Sequence, residues 1–148
     1  MENAKLTREF MRRYNNHDLP GARAMLTDDY FTVFRDHEMT WDDLKSETQK
    51  ISDAFPDYKF LFERLEARSD GVVILHNFVP SGTHTGTPYG FGPCPEIPPT
   101  GVHVQNDPEE VIHFYFRNGK ICQNAVYTDG EFVGPVGIYT QIGGFPFA

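Results

Sequence analysis

The sequence predicts an α+β fold: helices come first, and a curved mixed or antiparallel sheet wraps around them. Before Pro56, apolar residues recur mainly at helical spacing, and from Tyr58 onward they alternate as in strands. A hairpin signal, Asn118-Gly119 between two β-branched and aromatic runs, stands out in the second half. Helices segregated on one face of a sheet are typical of α+β proteins. We therefore expect a cone-shaped barrel with one open mouth.

Composition indicates one globular domain, residues 1–148. The chain is long enough for a substantial core, with 39% hydrophobic residues and 13 Phe. A net charge of −8 argues against nucleic-acid and anionic-membrane partners, which favour clustered Lys and Arg. The N-terminus lacks an apolar run typical of a signal peptide, and no segment could span a bilayer, so a cytoplasmic location is expected. The Cys and His residues show no metal-ligand spacing, so no metal is expected.

The N-terminal part predicts three helices and a strand. An amphipathic helix is expected over residues 4–15, and Asp18 can cap a short second helix. Residues 30–34 are typical of a strand. Thr40 and Asp43 resemble a capping box at the start of a third helix, which should end at the next proline.

The C-terminal part predicts strands, one long loop and an apolar tail. Residues 58–67 and 72–80 should pair around a turn. The segment 81–101 holds five of the 11 prolines and is expected to be irregular, as in functional lids and rims. The tail after Gly134 is expected to hold a helical turn and to fold over the barrel or a neighbouring subunit.

Counting outward from the Asn118-Gly119 turn predicts the faces of the hairpin. His113 should lie opposite Asn124, and Glu110 opposite Tyr127. One face would then carry Glu110, Ile112, Phe114, Phe116, Ile121, Gln123, Ala125, Tyr127 and Asp129. Both faces are largely apolar, so helices should cover this inner face, and another subunit should cover the outward face, on which His113 lies.

A series of short motifs gives the chain a family resemblance. The motifs are Asn16-His17-Asp18, Asp28-Asp29-Tyr30, Phe55-Pro56-Asp57, Gly82-Thr83-His84-Thr85-Gly86, Pro98-Pro99-Thr100-Gly101, and Gly119-Lys120-Ile121 followed by Asp129. Over residues 6–141 the chain resembles the SnoaL-like polyketide cyclases, of the superfamily named for nuclear transport factor two. The resemblance implies a cone-shaped barrel, a homodimer through the sheet face and a hydrophobic pocket between the sheet and the long helix. It also implies cofactor-free aldol ring closure with an aspartate, here Asp129, as acid/base.

The chain departs from the family pattern at two positions near Asp129. It has Ala125 where the family usually has Trp, and Gln123 where it usually has Glu. Its Gly- and Pro-rich loop is also longer than typical. These departures leave the substrate class open, because Ala125 would reshape the pocket.

Two residues are candidates for catalysis. Asp129 would be a carboxylate at an apolar wall whose pKa is raised by desolvation, and a simple turn role is the alternative. His84, flanked by glycines, could be a base or a hydrogen-bond donor, or it could instead hold the loop. Glu110 would be a second carboxylate beside Asp129, although a solvated strand end explains it as well.

Seven further residues are candidates for substrate binding: Tyr14, Trp41, Phe55, His76, Phe114, Gln123 and Tyr127. Core packing is the alternative for the helix residues among them. The favoured hypothesis is an enzyme without a cofactor that moves a proton α to a carbonyl of a hydrophobic small molecule. The alternatives are a non-catalytic binder of apolar ligands and an assembly domain that uses its sheet face.

Overall fold

Helices and strands follow the predicted order in the computed structural model, which describes residues 2–128 and 134–145. The elements are α1 (Glu2–Asn15), α2 (Leu19–Arg23), β1 (Leu26–Phe34), β2 (His37–Thr40), α3 (Trp41–Ala54), β3 (Phe62–Ala67), β4 (Val73–Phe78), β5 (Ser81–Thr83), β6 (His103–Gln105), β7 (Val111–Arg117), β8 (Lys120–Tyr127) and α4 (Gly134–Gln141). None of the helices in these ranges is long and apolar enough to cross a membrane.

Local capping chemistry sets the starts of α2 and α3. The Asp18 carboxylate accepts a hydrogen bond from the Gly21 N–H at 3.0 Å, which confirms the predicted cap. At α3, Thr40 Oγ1 accepts from the Asp43 N–H and the Asp43 carboxylate accepts from the Thr40 N–H, both at 3.3 Å. The predicted capping box is confirmed, and it fixes where α3 leaves the sheet.

The sheet is mixed, curved and open. Its strand order is β2-β1-β8-β7-β4-β3, and a separate two-stranded sheet joins β5 to β6. Strands β1 and β8 run parallel, whereas the other neighbours are antiparallel. The α+β class is confirmed, but the sheet does not close. The short polar strand β2, which sequence patterning did not predict, forms one edge and follows Arg35 in a left-handed conformation with φ of 57°.

Two groups of buried side chains form the core. The main cluster lies between the helices and the sheet and contains Phe10, Met11, Tyr14, Leu19, Ala22, Leu26, Tyr30, Trp41, Val73, Leu75, Phe78, Ile112, Phe114 and Ile121. The second cluster contains Ile51, Ala54, Phe55, Tyr58, Tyr89, Val104, Ile138, Tyr139 and Ile142. It includes three residues of the C-terminal tail, so α4 packs on its own chain.

The hairpin register departs from the prediction at a bulge. The turn lies at Asn118-Gly119, with φ of 53° and 76°, and Arg117 pairs with Lys120 as predicted. The register then shifts, so that His113 pairs with Ala125 instead of Asn124. The predicted pairing was wrong beyond this point, because a bulge adds one residue to one strand and alters the later pairs.

Candidate functional site

Buried, uncharged polar side chains gather around Tyr14 and Tyr30, two members of the main cluster. We call Tyr14, Tyr30, Thr32, Thr48 and Asn124 the interior polar cluster; each is at most 6% exposed. They come from α1, α3, β1 and β8, and Thr32 pairs directly with Asn124 across the parallel strands. Buried polar groups need hydrogen-bond partners, so the connections within this cluster decide its chemistry.

Two hydrogen-bonded pairs account for four members of the interior polar cluster. The Tyr14 hydroxyl bonds to Thr48 Oγ1, and the Tyr30 hydroxyl donates to Asn124 Oδ1. Burial raises the pKa of Tyr14 to about 12 and also raises the pKa of Tyr30, so both phenols stay neutral. Asn124 Nδ2 is buried and has no hydrogen-bond partner within the described ranges. The cluster therefore offers one unused amide donor.

A buried carboxylate, Glu110, precedes β7. Glu110 is only 4% exposed, and its Oε2 accepts a hydrogen bond of 3.0 Å from Asn106 Nδ2. Asn106 is held in turn by the Phe78 carbonyl, at 3.1 Å, and by the Gly134 N–H, at 3.2 Å. Burial raises the pKa of Glu110 to about 7, despite the opposing hydrogen bond from Asn106. The alternative prediction, that Glu110 lies at a solvated strand end, is wrong, although the neighbouring Glu109 is exposed.

Aromatic rings pack in the space between α1 and the sheet. The ring of Phe10 meets Phe114 edge-on with centroids 6.1 Å apart, and Tyr14 meets Phe60 at 4.8 Å. Phe60 also stacks on Phe78 at 6.2 Å. These contacts occupy part of the region where the family resemblance implies a hydrophobic pocket, and an open pocket there stays a prediction.

His84 holds the long loop, and a catalytic role for it stays a prediction. It is fully buried, and its ring stacks on Phe55 with centroids 4.9 Å apart. Its Nδ1 accepts from the Thr100 N–H at 3.2 Å, so Nε2 carries the proton and donates to the Thr87 carbonyl at 3.1 Å. Both ring nitrogens are bonded to loop backbone, which favours the alternative that His84 holds the loop.

Three predicted substrate-binding residues lie on the outer face of the sheet, away from the main cluster. Tyr127 is 53% exposed and packs edge-on against His113, with centroids 4.7 Å apart. Gln123 and Tyr127 line an open groove of about 490 Å³ there. Both were placed on the inner face by the wrong register. His76 Nε2 lies 2.7 Å from Glu66 Oε1. Side chains alternate along β4, so His76 faces outward while its neighbour Leu75 packs in the main cluster.

The remaining candidates divide between the two clusters. Tyr14, Trp41 and Phe114 belong to the main cluster. Phe55 belongs to the second cluster, and His84 stacks on its ring. Asp129 lies outside the described residues. Sequence reasoning missed Asn124, although an amide within an apolar strand was the available signal. Over the described ranges, no three His, Cys, Asp or Glu side chains gather as metal ligands do.

The open curved sheet with helices packed on its inner face matches the nuclear transport factor two-like fold of α+β proteins. Solved structures share this fold. AclR from Streptomyces galilaeus, a proposed hydroxylase, has a TM-score of 0.73 at 22% identity, with 96% of each chain covered. A proposed SnoaL-like polyketide cyclase from Jannaschia sp. CCS1 has a TM-score of 0.70 at 16% identity, covering 95% of this chain and 91% of the other. IdmH from Streptomyces antibioticus, a proposed polyketide cyclase, has a TM-score of 0.66 at 18% identity, covering 87% and 93%.

A match to a family model shows the family of this chain. The model of the SnoaL-like polyketide cyclase family matches residues 5–131, so the chain belongs to that family. A search of curated proteins found no match. At these identities the solved structures establish the fold alone, and the reaction must be argued from the site.

Proposed function

We propose that the protein is an enzyme without a cofactor that transfers a proton next to a carbonyl group of a hydrophobic small molecule. The observation that carries the proposal is the buried Glu110 carboxylate, whose pKa is raised to about 7. A group that titrates near neutral pH can both remove and return a proton at useful rates. Membership of the SnoaL-like polyketide cyclase family supports the same reaction class.

The reaction starts with removal of a proton from the carbon beside the carbonyl. A carboxylate, Glu110 or Asp129, accepts that proton, and the electron pair of the C–H bond becomes the enolate. In an isomerase or a simple exchange reaction, the acid returns the proton to the same or another carbon. In a cyclase, the enolate carbon attacks a second carbonyl of the same molecule, and the acid protonates the new alkoxide. The family resemblance supports the role of Asp129, and the burial of Glu110 supports a second carboxylate.

Proton exchange on a model ketone tests this proposal. 1-Tetralone is incubated with the protein in D₂O, and loss of its α-proton signal is followed by NMR. We expect exchange above the buffer rate, reduced about 10²-fold in Glu110→Gln and in Asp129→Asn. The exposed Glu109→Gln variant is the matched control and should exchange at the wild-type rate. Exchange no faster than in buffer, or equal rates in all variants, would refute the proposal.

The second candidate function is assembly through the outer face, which the exposed Tyr127 ring beside His113 favours. A homodimer through this face would bury that ring. Tyr127→Glu should then convert a dimer into a monomer in light scattering, with Lys120→Glu at the exposed hairpin turn as the control. A wild-type monomer, or a variant that stays dimeric, would rule this out.

A further inference from the structure

We propose that the interior polar cluster recognises a neutral carbonyl oxygen of the substrate, with Asn124 Nδ2 as the hydrogen-bond donor. This assignment rests on the proposed function and adds the residue that binds the reacting carbonyl. Asn124 Nδ2 is a buried amide donor without a hydrogen-bond partner among the described residues.

The amide of Asn124 is held in one orientation. Tyr30 donates to Oδ1, which leaves the two N–H groups of Nδ2 as the unused side of the amide. Main-chain pairing of Asn124 with Thr32 fixes the backbone beneath it. A donor that is already positioned and desolvated suits an oxygen that gains negative charge as an enolate forms.

The chemistry of the cluster selects neutral oxygen over an anion. Its members are hydroxyls and one amide, and both tyrosines stay protonated because burial raises the pKa of each phenol. A carboxylate or phosphate bound there would lose its water without gaining a cationic partner in the cluster, which is unfavourable. A ketone or ester carbonyl oxygen would instead accept a hydrogen bond from Nδ2, which otherwise lacks a partner. Phe114, the cross-strand partner of Asn124, and Phe10, whose ring packs edge-on against Phe114, supply apolar surface for the body of such a molecule.

Three probes of similar shape test this selection by calorimetry: 1-tetralone, the hydrocarbon tetralin, and the anion 1-naphthoate. We expect the wild type to bind the ketone about tenfold more tightly than the hydrocarbon and more tightly than the anion. The double variant Tyr30→Phe/Asn124→Leu should lose this preference but keep its affinity for tetralin. The double variant removes both partners of the Tyr30–Asn124 hydrogen bond together, and only the Thr32 hydroxyl, which also bonds to Tyr30, loses a partner, so the variant is expected to fold.

A matched control removes a buried hydroxyl outside the cluster. Thr7 is fully buried on α1, and its Oγ1 donates to the Asn3 carbonyl at 2.8 Å. Thr7→Val should keep the ketone preference. In the wild type, the side-chain amide signal of Asn124 should also shift in ¹⁵N NMR spectra when 1-tetralone is added, but not when tetralin is added.

The outcomes separate this inference from the proposed function. Ketone preference that depends on Asn124, without proton exchange, would support carbonyl recognition and refute catalysis. Proton exchange that depends on Glu110 but is unchanged in the double variant would refute the role of Asn124 and leave the proposed function standing. Failure to bind 1-tetralone, equal binding of ketone and hydrocarbon, or tighter binding of 1-naphthoate would also overturn the inference.

Discussion

Replacement of Glu110 by Gln should make the protein more resistant to unfolding at high pH. Glu110 is 4% exposed, and burial raises its pKa from 4.5 to about 7. The unfolded chain ionises this carboxyl near its ordinary pKa, whereas the folded protein keeps the proton until about pH 7. Between these values the folded state binds more protons, so the contribution of Glu110 to stability falls as the pH rises and is constant above the window.

The magnitude follows from the size of the pKa change. A tenfold change in an ionisation constant corresponds to about 1.4 kcal/mol, so the rise from 4.5 to about 7 corresponds to about 3 kcal/mol. The free energy of unfolding of Glu110→Gln, relative to that of the wild type, should therefore increase by about 3 kcal/mol between pH 4 and pH 8. For a chain of 148 residues this corresponds to a relative gain of about 6–12 °C in Tm.

Urea unfolding followed by circular dichroism at several pH values measures this difference. Comparison of the two proteins cancels the other titrating groups, and any fixed cost of burying the Gln amide is the same at each pH. The exposed Glu109→Gln variant should show no comparable change. A difference between wild type and Glu110→Gln that is constant from pH 4 to pH 8 would show that Glu110 titrates normally.

Three further substitutions test how the elements around the site are held. Thr40→Ala removes the cap of α3 and should cost about 1 kcal/mol in urea unfolding, whereas an unchanged midpoint would contradict the capping role. His84→Leu removes the hydrogen bonds of the ring to Thr87 and Thr100, so limited proteolysis should cut segment 81–101 faster than in wild type; equal cutting would contradict its role. Gly86→Ala would place a Cβ 1.9 Å from the Asp53 carbonyl oxygen at the end of α3, so a marked fall in Tm is expected, and a wild-type Tm would refute that contact.

Much of the fold was predictable because its signals are local. Helix periodicity, the cap at Asp18 and the capping box at Thr40 each depend on residues within one or two turns of each other. The Asn118-Gly119 turn is equally local, since both residues adopt positive φ. The bulge that follows left no comparable signal, and the short polar strand β2 forms only against its neighbour β1.

The candidate site was predictable only in part, for the same reason. Tyr14, Trp41 and Phe114 were placed correctly in the interior by periodicity and alternation. Tyr127 was assigned to the wrong face, since one extra residue in β8 reverses its direction. The role of His84 depended on Thr87 and Thr100, one of which lies 16 residues away.

The sequence by itself determined the family, the order of the elements and the local ends of the helices, because these depend on short-range chemistry and on motif order. Only the tertiary structure decided which polar groups are buried together. Asn124 bonds to Tyr30, which lies 94 residues away in the sequence. Glu110 is buried beside Asn106, whose side chain bonds to the end of β4 and to the start of α4. Burial depends on every element that packs around a group, so the raised pKa of Glu110 and the unused donor of Asn124 emerge only when the chain is folded.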